Sequence, residues 1–286
     1  MYKFRQYFLT IALFVVFFSQ IKIVDSKTII WDLGNTLFTV SKFKFARDIG
    51  FSYFIKYAIL DLKNPNIQPL IFDILNKINP AEEYPSIVAA DNEGRPLPII
   101  MDKWLAGVIS DQELMQSVND FLGHLDKQKY FISEYQKTLV QKTLAAMFNP
   151  KILANTTEPI MAGIELLHDC HQAKNSDGTP KNVLFVLSNW DEASFGLVKQ
   201  KYAHIFDTYF LPEHVIISGN IGLIKPQKAA YEYIINTYEL DRADCIFIDD
   251  QYLNTLAAQT VGIQTLHLCH GNYSAIKNIL TIVGAL

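Results

Sequence analysis

The sequence has few cysteines and no excess of basic residues, and each shortage excludes a class of protein. Its three cysteines, Cys170, Cys245 and Cys269, are too few for the disulfide framework of a small secreted domain. Cys170 and Cys269 could pair with each other, which the sequence does not decide. The formal net charge is −4, so no basic surface is expected and we predict no nucleic-acid partner.

Internal repeats, low-complexity tracts and histidine clusters are also missing from the sequence. Without a repeat, a solenoid or a propeller is not expected, and the seven histidines show no spacing typical of zinc ligands. Apolar residues, by contrast, are plentiful: 50% of the 286 residues are hydrophobic and 13% are aromatic. This composition predicts a folded chain with a sizeable core, in one large domain or two modest ones.

The N-terminus resembles a targeting segment. Lys3 and Arg5 precede the mostly apolar residues 8–18, and residues 24–26 offer small side chains at a cleavage site. The apolar run is shorter than the ~20 residues that span a bilayer. We therefore predict a signal peptide over residues 1–26 and an exported, periplasmic or secreted protein. A retained N-terminal anchor with possible membrane association, or an ordinary apolar segment, are the alternatives.

Continuous apolar runs alternate with amphipathic segments in most of the remaining chain. The runs predict strands at residues 28–31, 183–187, 245–248 and 264–268. The amphipathic segments predict helices at residues 159–170, 191–202, 227–238 and 253–260, with a short strand or a loop over residues 208–218. Unbroken apolar strands between helices favour an α/β fold with a doubly wound parallel sheet, covered by helices on both faces.

Residues 41–152 have a different pattern. Apolar side chains recur there at steps of three and four, and prolines interrupt the segment repeatedly. This spacing is typical of short helices that bury one face. We predict a mostly helical insert between the first strand and the rest of the sheet.

Polar residues follow the apolar runs at the points where the strands end. Asp32 follows the first run, Ser188 the second and the pair Asp249-Asp250 the third, while Lys225 lies in a loop. Parallel strands bring their carboxyl ends to one edge of the sheet, where ligands bind. Together these groups suit phosphoryl transfer: a carboxylate nucleophile, a hydroxyl and an ammonium for the developing charge, and hard oxygen ligands for Mg²⁺.

Four segments, in this order, resemble the motifs of the haloacid dehalogenase-like (HAD) hydrolase superfamily. They are Asp-x-x-x-Thr-Leu at residues 32–37, Ser188-Asn189, Gly-x-x-Lys-Pro at residues 222–226, and Asp-Asp-x-x-x-Asn-x-x-x-Ala at residues 249–258. The resemblance covers residues 28–40 and about 155–270. It implies a Rossmannoid core made of residues 27–40 and 153–286, with residues 41–152 as a helical cap of the C1 type.

The resemblance also implies roles for individual residues. Asp32 corresponds to the nucleophile and Lys225 to the lysine that stabilises it and the phosphate. Ser188, with Asn189 beside it, corresponds to the phosphate-binding residues. The implied activity is hydrolysis of a small phosphomonoester through an aspartyl-phosphate.

The cofactor implied by the resemblance is Mg²⁺. Its ligands would be the carboxylates of Asp32, Asp249 and Asp250 and the backbone carbonyl of Gly34. Two adjacent carboxylates after a buried strand would repel each other without a cation, which favours the same interpretation.

Gly34 departs from the pattern of the phosphatases in this superfamily. They usually carry there a second aspartate that protonates the leaving group and later activates water. General acid–base catalysis is worth about 10²–10⁴ in rate. The glycine leaves two alternatives open: a non-catalytic HAD-like binding protein, and a 2-haloacid dehalogenase, which also lacks the second aspartate but does not need Mg²⁺.

Overall fold

The computed structural model describes residues 26–61, 66–78, 89–91 and 94–286. The predicted signal peptide lies almost wholly outside this range. Within the described part of the chain, no helix combines the length and the apolar character needed to cross a membrane.

A five-stranded parallel sheet forms the centre of the molecule, with strand order β5-β4-β1-β6-β7. Its strands are β1 Lys27–Trp31, β4 Asn182–Ser188, β5 Val215–Ile217, β6 Cys245–Asp249 and β7 Gln264–His267. The three middle strands are rich in β-branched and aromatic side chains and are mostly buried, as expected for strands covered on both faces.

The register of the central strands places the predicted site residues together. Trp31, the last residue of β1, is paired with Val186 of β4 and Ile248 of β6. Asp32 follows Trp31 directly, while Ser188 and Asp249 end the two neighbouring strands. The three side chains therefore lie at the same edge of the sheet.

Helices cover both faces of this sheet. One face packs Ile29 and Trp31 against the helices Met161–Gln172, Glu192–Lys201, Ala203–Tyr209 and Tyr273–Ile282. The other face packs Ile30 and Phe247 against the helices Lys228–Thr237 and Tyr252–Thr260. The alternation around β1 confirms the predicted doubly wound α/β fold.

The described residues between positions 42 and 156 form a group of helices with a hydrophobic cluster of its own. The helices are Lys42–Ile49, Phe51–Leu60, Gln68–Asn76, Ile99–Leu105, Asp111–Lys127, Glu134–Met147 and Pro150–Thr156. Several of these helices begin at a serine or asparagine whose side chain caps the helix N-terminus. Ser110 and Glu113 form a capping box, for example, and Asn149 accepts hydrogen bonds from two backbone amides. The last of these helices spans the expected boundary at residues 152–153.

A short antiparallel ribbon joins the helical group to the sheet. Strand β2 (Phe38–Val40) pairs with strand β3 (Thr157–Pro159), so the outgoing and returning connections run side by side. A second contact lies elsewhere: the Ser218 hydroxyl donates to the Leu105 carbonyl at 2.6 Å and accepts from the Trp190 amide at 2.9 Å. Neither the ribbon nor this contact was predicted from the sequence.

The predicted strands and helices of the second half correspond to observed elements within a few residues. Residues 208–218 contain the short strand β5, which agrees with one of the two alternatives given for this segment. The possible Cys170–Cys269 disulfide is absent: Cys170 is buried, Cys269 is exposed, and both thiols are free.

Candidate active site

Asp32 stands at the carboxyl end of β1 and begins a tight loop. Its backbone amide donates to the Ile248 carbonyl at 2.9 Å, which extends the pairing with β6 by one residue. The loop closes when the amides of Leu37 and Phe38 return to the Leu33 carbonyl, both at 2.8 Å. Asn35 has a φ of +51°, a left-handed conformation that asparagine tolerates better than most residues. The pair Gly34-Asn35 thus supplies the turn that follows Asp32.

Two donors hold one oxygen of the buried Asp32 carboxylate. The Ser188 hydroxyl lies 2.9 Å from Asp32 Oδ1, and the Lys225 ammonium lies 2.7 Å from the same atom. Lys225 is 1% exposed, and its ammonium also contacts Asp249 Oδ2 at 2.7 Å. Among the described contacts, Asp32 Oδ2 accepts no hydrogen bond, so both donors lie on Oδ1.

Asn189 is placed differently from a residue that binds substrate. Its side-chain oxygen accepts from the Lys225 amide at 2.8 Å, and its side-chain nitrogen donates to the Lys225 carbonyl at 2.8 Å. Both functional groups of the amide are therefore engaged with the backbone of Lys225. We interpret Asn189 as a positioning residue that fixes the lysine loop, in contrast to the predicted substrate contact.

Asp249 ends β6 and is held by more groups than the sequence analysis identified. Its Oδ1 accepts from the Gln251 amide at 2.7 Å. The Asn254 side chain donates to Oδ1 at 3.1 Å and to Oδ2 at 3.0 Å. Asn254 was part of the fourth motif, but its spacing alone gave no reason to assign it to the site. The structure shows that it orients the Asp249 carboxylate.

Three carboxylates converge at this edge of the sheet. Asp32, Asp249 and Asp250 each offer one oxygen, and these three atoms lie within 4.8 Å of one another. Lys225 is in contact with two of the three carboxylates. The donor set is made of hard oxygens, which Mg²⁺ prefers, so the residues present fit the predicted ion.

Burial perturbs the protonation of these groups in the metal-free protein. It raises the pKa of Asp32 to about 6, although the Lys225 charge acts in the opposite direction. Burial, together with the charges of Asp32 and Asp249, raises the pKa of Asp250 to about 8. Burial lowers the pKa of Lys225, but the two carboxylates beside it raise that pKa by more, so the ammonium stays charged.

Gly34 lies close to Asp32 Oδ2, but the space around it does not require a glycine. A Cβ built at Gly34 would lie 3.9 Å from Asp32 Oδ2, an ordinary van der Waals distance, with no other atom of concern nearby. Gly34 is also absent from the residues with positive φ. A Cβ would therefore fit at this position.

Two cavities of about 650 Å³ each lie next to the site. The first extends from Gly34 and Trp190 into the helical group, and its wall there is largely apolar. The second lies on the side of Asp250 and is lined by more polar groups, among them Gln251 and His267. Asn35 stands between the two cavities and lines both.

Comparison with known proteins places this geometry in context. No family model matches the chain. Over 54 residues it is 40% identical to a sesquiterpene phosphatase of Aspergillus oryzae. This match covers 19% of the chain and 28% of the phosphatase, so the chain spans well under two thirds of that relative.

Solved structures resemble the chain over most of its length. A HAD family enzyme of Bacteroides thetaiotaomicron superposes with a TM-score of 0.53 at 16% identity, covering 88% of this chain and 98% of that one. The same enzyme in complex with magnesium and inorganic phosphate superposes with a TM-score of 0.51 at 17% identity, covering 86% of this chain and 96% of that one. A predicted HAD-like family hydrolase of Porphyromonas gingivalis superposes with a TM-score of 0.50 at 19% identity, covering 89% of this chain and 98% of that one. The chain therefore has the fold of the HAD family enzymes, as its four motifs predict.

Proposed function

We propose that the chain is a Mg²⁺-dependent hydrolase of small phosphomonoesters that acts through an aspartyl-phosphate. The observation that carries the proposal is the pair of donors on Asp32. Ser188 and Lys225 both bind Oδ1, which leaves Oδ2 as the nucleophile. With a pKa of about 6, the Asp32 carboxylate is largely ionised at neutral pH.

In the first step, Asp32 Oδ2 forms a bond to phosphorus while the bond between phosphorus and the ester oxygen breaks. The Lys225 ammonium, which has a third N–H besides those that contact Asp32 and Asp249, stabilises the charge that develops on the phosphoryl oxygens, and the Ser188 hydroxyl does so once its proton turns from Asp32 Oδ1 to the phosphate. Water then attacks the aspartyl-phosphate and releases inorganic phosphate. Because Gly34 offers no carboxyl, the proton for the leaving oxygen has to come from solvent or from another group.

Asp32, Asp249 and Asp250, with the Gly34 carbonyl, are the groups proposed to hold Mg²⁺. When bound, the ion neutralises negative charge on the nucleophile and the phosphate. The close approach of three carboxylates, two of them buried and that of Asp250 half-buried, supports this site, because their repulsion falls when a divalent cation is shared. The magnesium and phosphate complex of the Bacteroides enzyme also supports the cation site, and the phosphatase named among the relatives supports the activity.

A panel of aryl, sugar and alkyl phosphates, assayed on the full chain with Mg²⁺ and with EDTA, tests the proposal. We expect phosphate release that requires Mg²⁺ and is lost in Asp32→Asn. Asp120→Asn, on the exposed surface of the helix Asp111–Lys127, is a matched control that should keep full activity. Turnover that is the same in Asp32→Asn and in the unmodified chain would contradict the mechanism.

Gly34 favours one second candidate, a phosphate-binding protein without turnover. In that case calorimetry would detect Mg²⁺-dependent binding of inorganic phosphate, and no substrate of the panel would be hydrolysed. Dehalogenation of 2-haloacids is tested in the same assay, since chloride release that survives EDTA would favour it. The pair Asp249-Asp250 has no expected use in that reaction.

A further inference from the structure

We propose that the phosphomonoester carries a long apolar chain, which lies in the cavity that begins at Gly34. This inference rests on the proposed phosphatase activity and adds the class of substrate. The cavity wall includes six large apolar side chains from four of the helices: Phe45, Ile49, Phe54, Ile71, Phe72 and Met147.

The character of the wall favours an apolar substrate over a strongly polar one. Lys42 is the one charged side chain among the described residues that line this cavity, and the uncharged polar side chains on the wall are Asn35, Thr39, Asn66, Gln68 and Thr143. A sugar or a nucleoside would place several of its hydroxyl groups against the larger, apolar part of the wall, and each hydroxyl without a hydrogen-bond partner weakens binding. An alkyl or isoprenyl chain has no hydroxyl group to leave without a partner, and each methylene that it removes from water adds to the binding free energy.

The size of the cavity sets the length of the chain. A volume of about 650 Å³ lies within the usual range for ligand pockets. Because a water molecule takes about 30 Å³ in the liquid, the cavity has room for roughly twenty groups of that size. A chain of about ten to fifteen carbons would therefore fill most of it.

The position of the cavity relative to the nucleophile agrees with this substrate. Gly34 forms part of the wall, and a Cβ built there would lie 3.9 Å from Asp32 Oδ2. The second cavity borders Asp250 instead, on the side proposed to hold the cation and the phosphoryl oxygens. The apolar chain of the ester would therefore extend from the phosphate into the first, apolar cavity.

A series of n-alkyl monophosphates with two to ten carbons tests the inference on the full chain with Mg²⁺, below their micelle-forming concentrations. We expect kcat/KM to rise about fourfold for each added methylene, mostly through a lower KM, because the chain binds ground state and transition state alike. Ethyl and hexyl phosphate would then differ by about 100-fold or more.

Ala46→Trp provides a second test, because Ala46 lines the cavity and the indole would occupy part of it. We expect the ratio of decyl to ethyl phosphate hydrolysis to fall at least tenfold. The ratio does not depend on how much of the variant is folded. Ala145→Trp is the matched control, because Ala145 is exposed on the helix Glu134–Met147 and does not line the cavity. It should leave the ratio unchanged.

The outcomes separate this inference from the proposed function. Hydrolysis of short phosphates with no dependence on chain length, or an unchanged ratio in Ala46→Trp, would overturn the apolar chain and leave the phosphatase standing. Failure to hydrolyse any phosphate of the series or p-nitrophenyl phosphate would overturn both. Preference for sugar phosphates would assign the substrate to the cavity beside Asp250.

Discussion

Gly34→Asp should raise the rate of the proposed phosphatase reaction. The position lies beside the oxygen of Asp32 proposed as the nucleophile, has no positive φ, and has space for a Cβ at 3.9 Å from Asp32 Oδ2. An introduced carboxyl would therefore stand near the proposed nucleophile without strain in the backbone. The substitution tests whether a missing proton donor, and not a defective site, limits the reaction.

The protonation state of the introduced carboxyl follows from its neighbours. At a separation of about 5 Å and an effective dielectric constant of about 20, repulsion from Asp32 costs about 3 kcal/mol. This energy equals a rise of about two pKa units, which the ammonium of Lys225 reduces in part. From the ordinary value near 3.9, the pKa of the introduced carboxyl would rise to at most about 6, so about half of it is protonated at pH 6 and about a tenth at pH 7, which is the fraction able to act as a general acid.

The gain should depend on the leaving group. For an alkyl phosphate, whose leaving oxygen needs a proton, we expect kcat/KM to rise 10²- to 10⁴-fold, a barrier reduction of about 3–5 kcal/mol. For p-nitrophenyl phosphate, whose leaving group is stable as an anion, we expect less than a tenfold rise. Phosphate release measured at several pH values, with both substrates, gives the comparison.

Gly34→Asn is the matched control, because its side chain has nearly the same size but no acidic proton. It should leave both rates within a few fold of the unmodified chain. The reasoning would be refuted if Gly34→Asn matched Gly34→Asp, or if the gain were equal for the two substrates. A gain that persisted after adding Asp32→Asn would show that the reaction does not use the proposed nucleophile.

Three further predictions concern the groups around the nucleophile. Asn254→Ala removes both hydrogen bonds to Asp249 and should raise the Mg²⁺ concentration for half-maximal activity by about 10- to 100-fold; an unchanged Mg²⁺ titration would contradict this role. Asn189→Ala frees the backbone of Lys225 and should lower kcat, while Asn175→Ala, on an exposed loop, should have no effect. Because the folded-state pKa values of Asp32 and Asp250 are raised to about 6 and about 8, their contribution to stability is present at low pH and is lost as pH rises from about 4 to 8. Added Mg²⁺ should therefore raise the melting temperature more at pH 8 than at pH 5, and equal shifts in scanning fluorimetry would refute this.

The sequence predicted the sheet well because its central strands are unbroken apolar runs. A strand buried on both faces leaves a simple pattern, and the polar residue that ends it is easy to find. Asp32, Ser188 and Asp249 were identified in this way, and the parallel register brings them together. Lys225 is different, since it lies in a loop and only the resemblance pointed to it.

Contacts between distant residues could not be read from local patterns. The Asn189 side chain meets the backbone of a residue 36 positions away, so its positioning role was not predictable from the Ser-Asn pair. The strands β2 and β3 have three residues each, too few to show a period. The apolar cavity is lined by side chains from several helices. The apolar spacing of any one of these helices predicts only a face buried in the core.

The helical group is attached to the sheet layer at several separate points. The ribbon of β2 and β3 pairs its two connections side by side, the Ser218 hydroxyl donates to the Leu105 carbonyl, and the Lys201 ammonium donates to the Ala154 carbonyl. Each such hydrogen bond has a net worth of about 1 kcal/mol, and a movement of the group away from the sheet would have to break them together. The cavity beside Gly34 is lined by residues of β2 as well as by residues of the helices, so a substitution that loosens any of these attachments would also change the shape of the cavity.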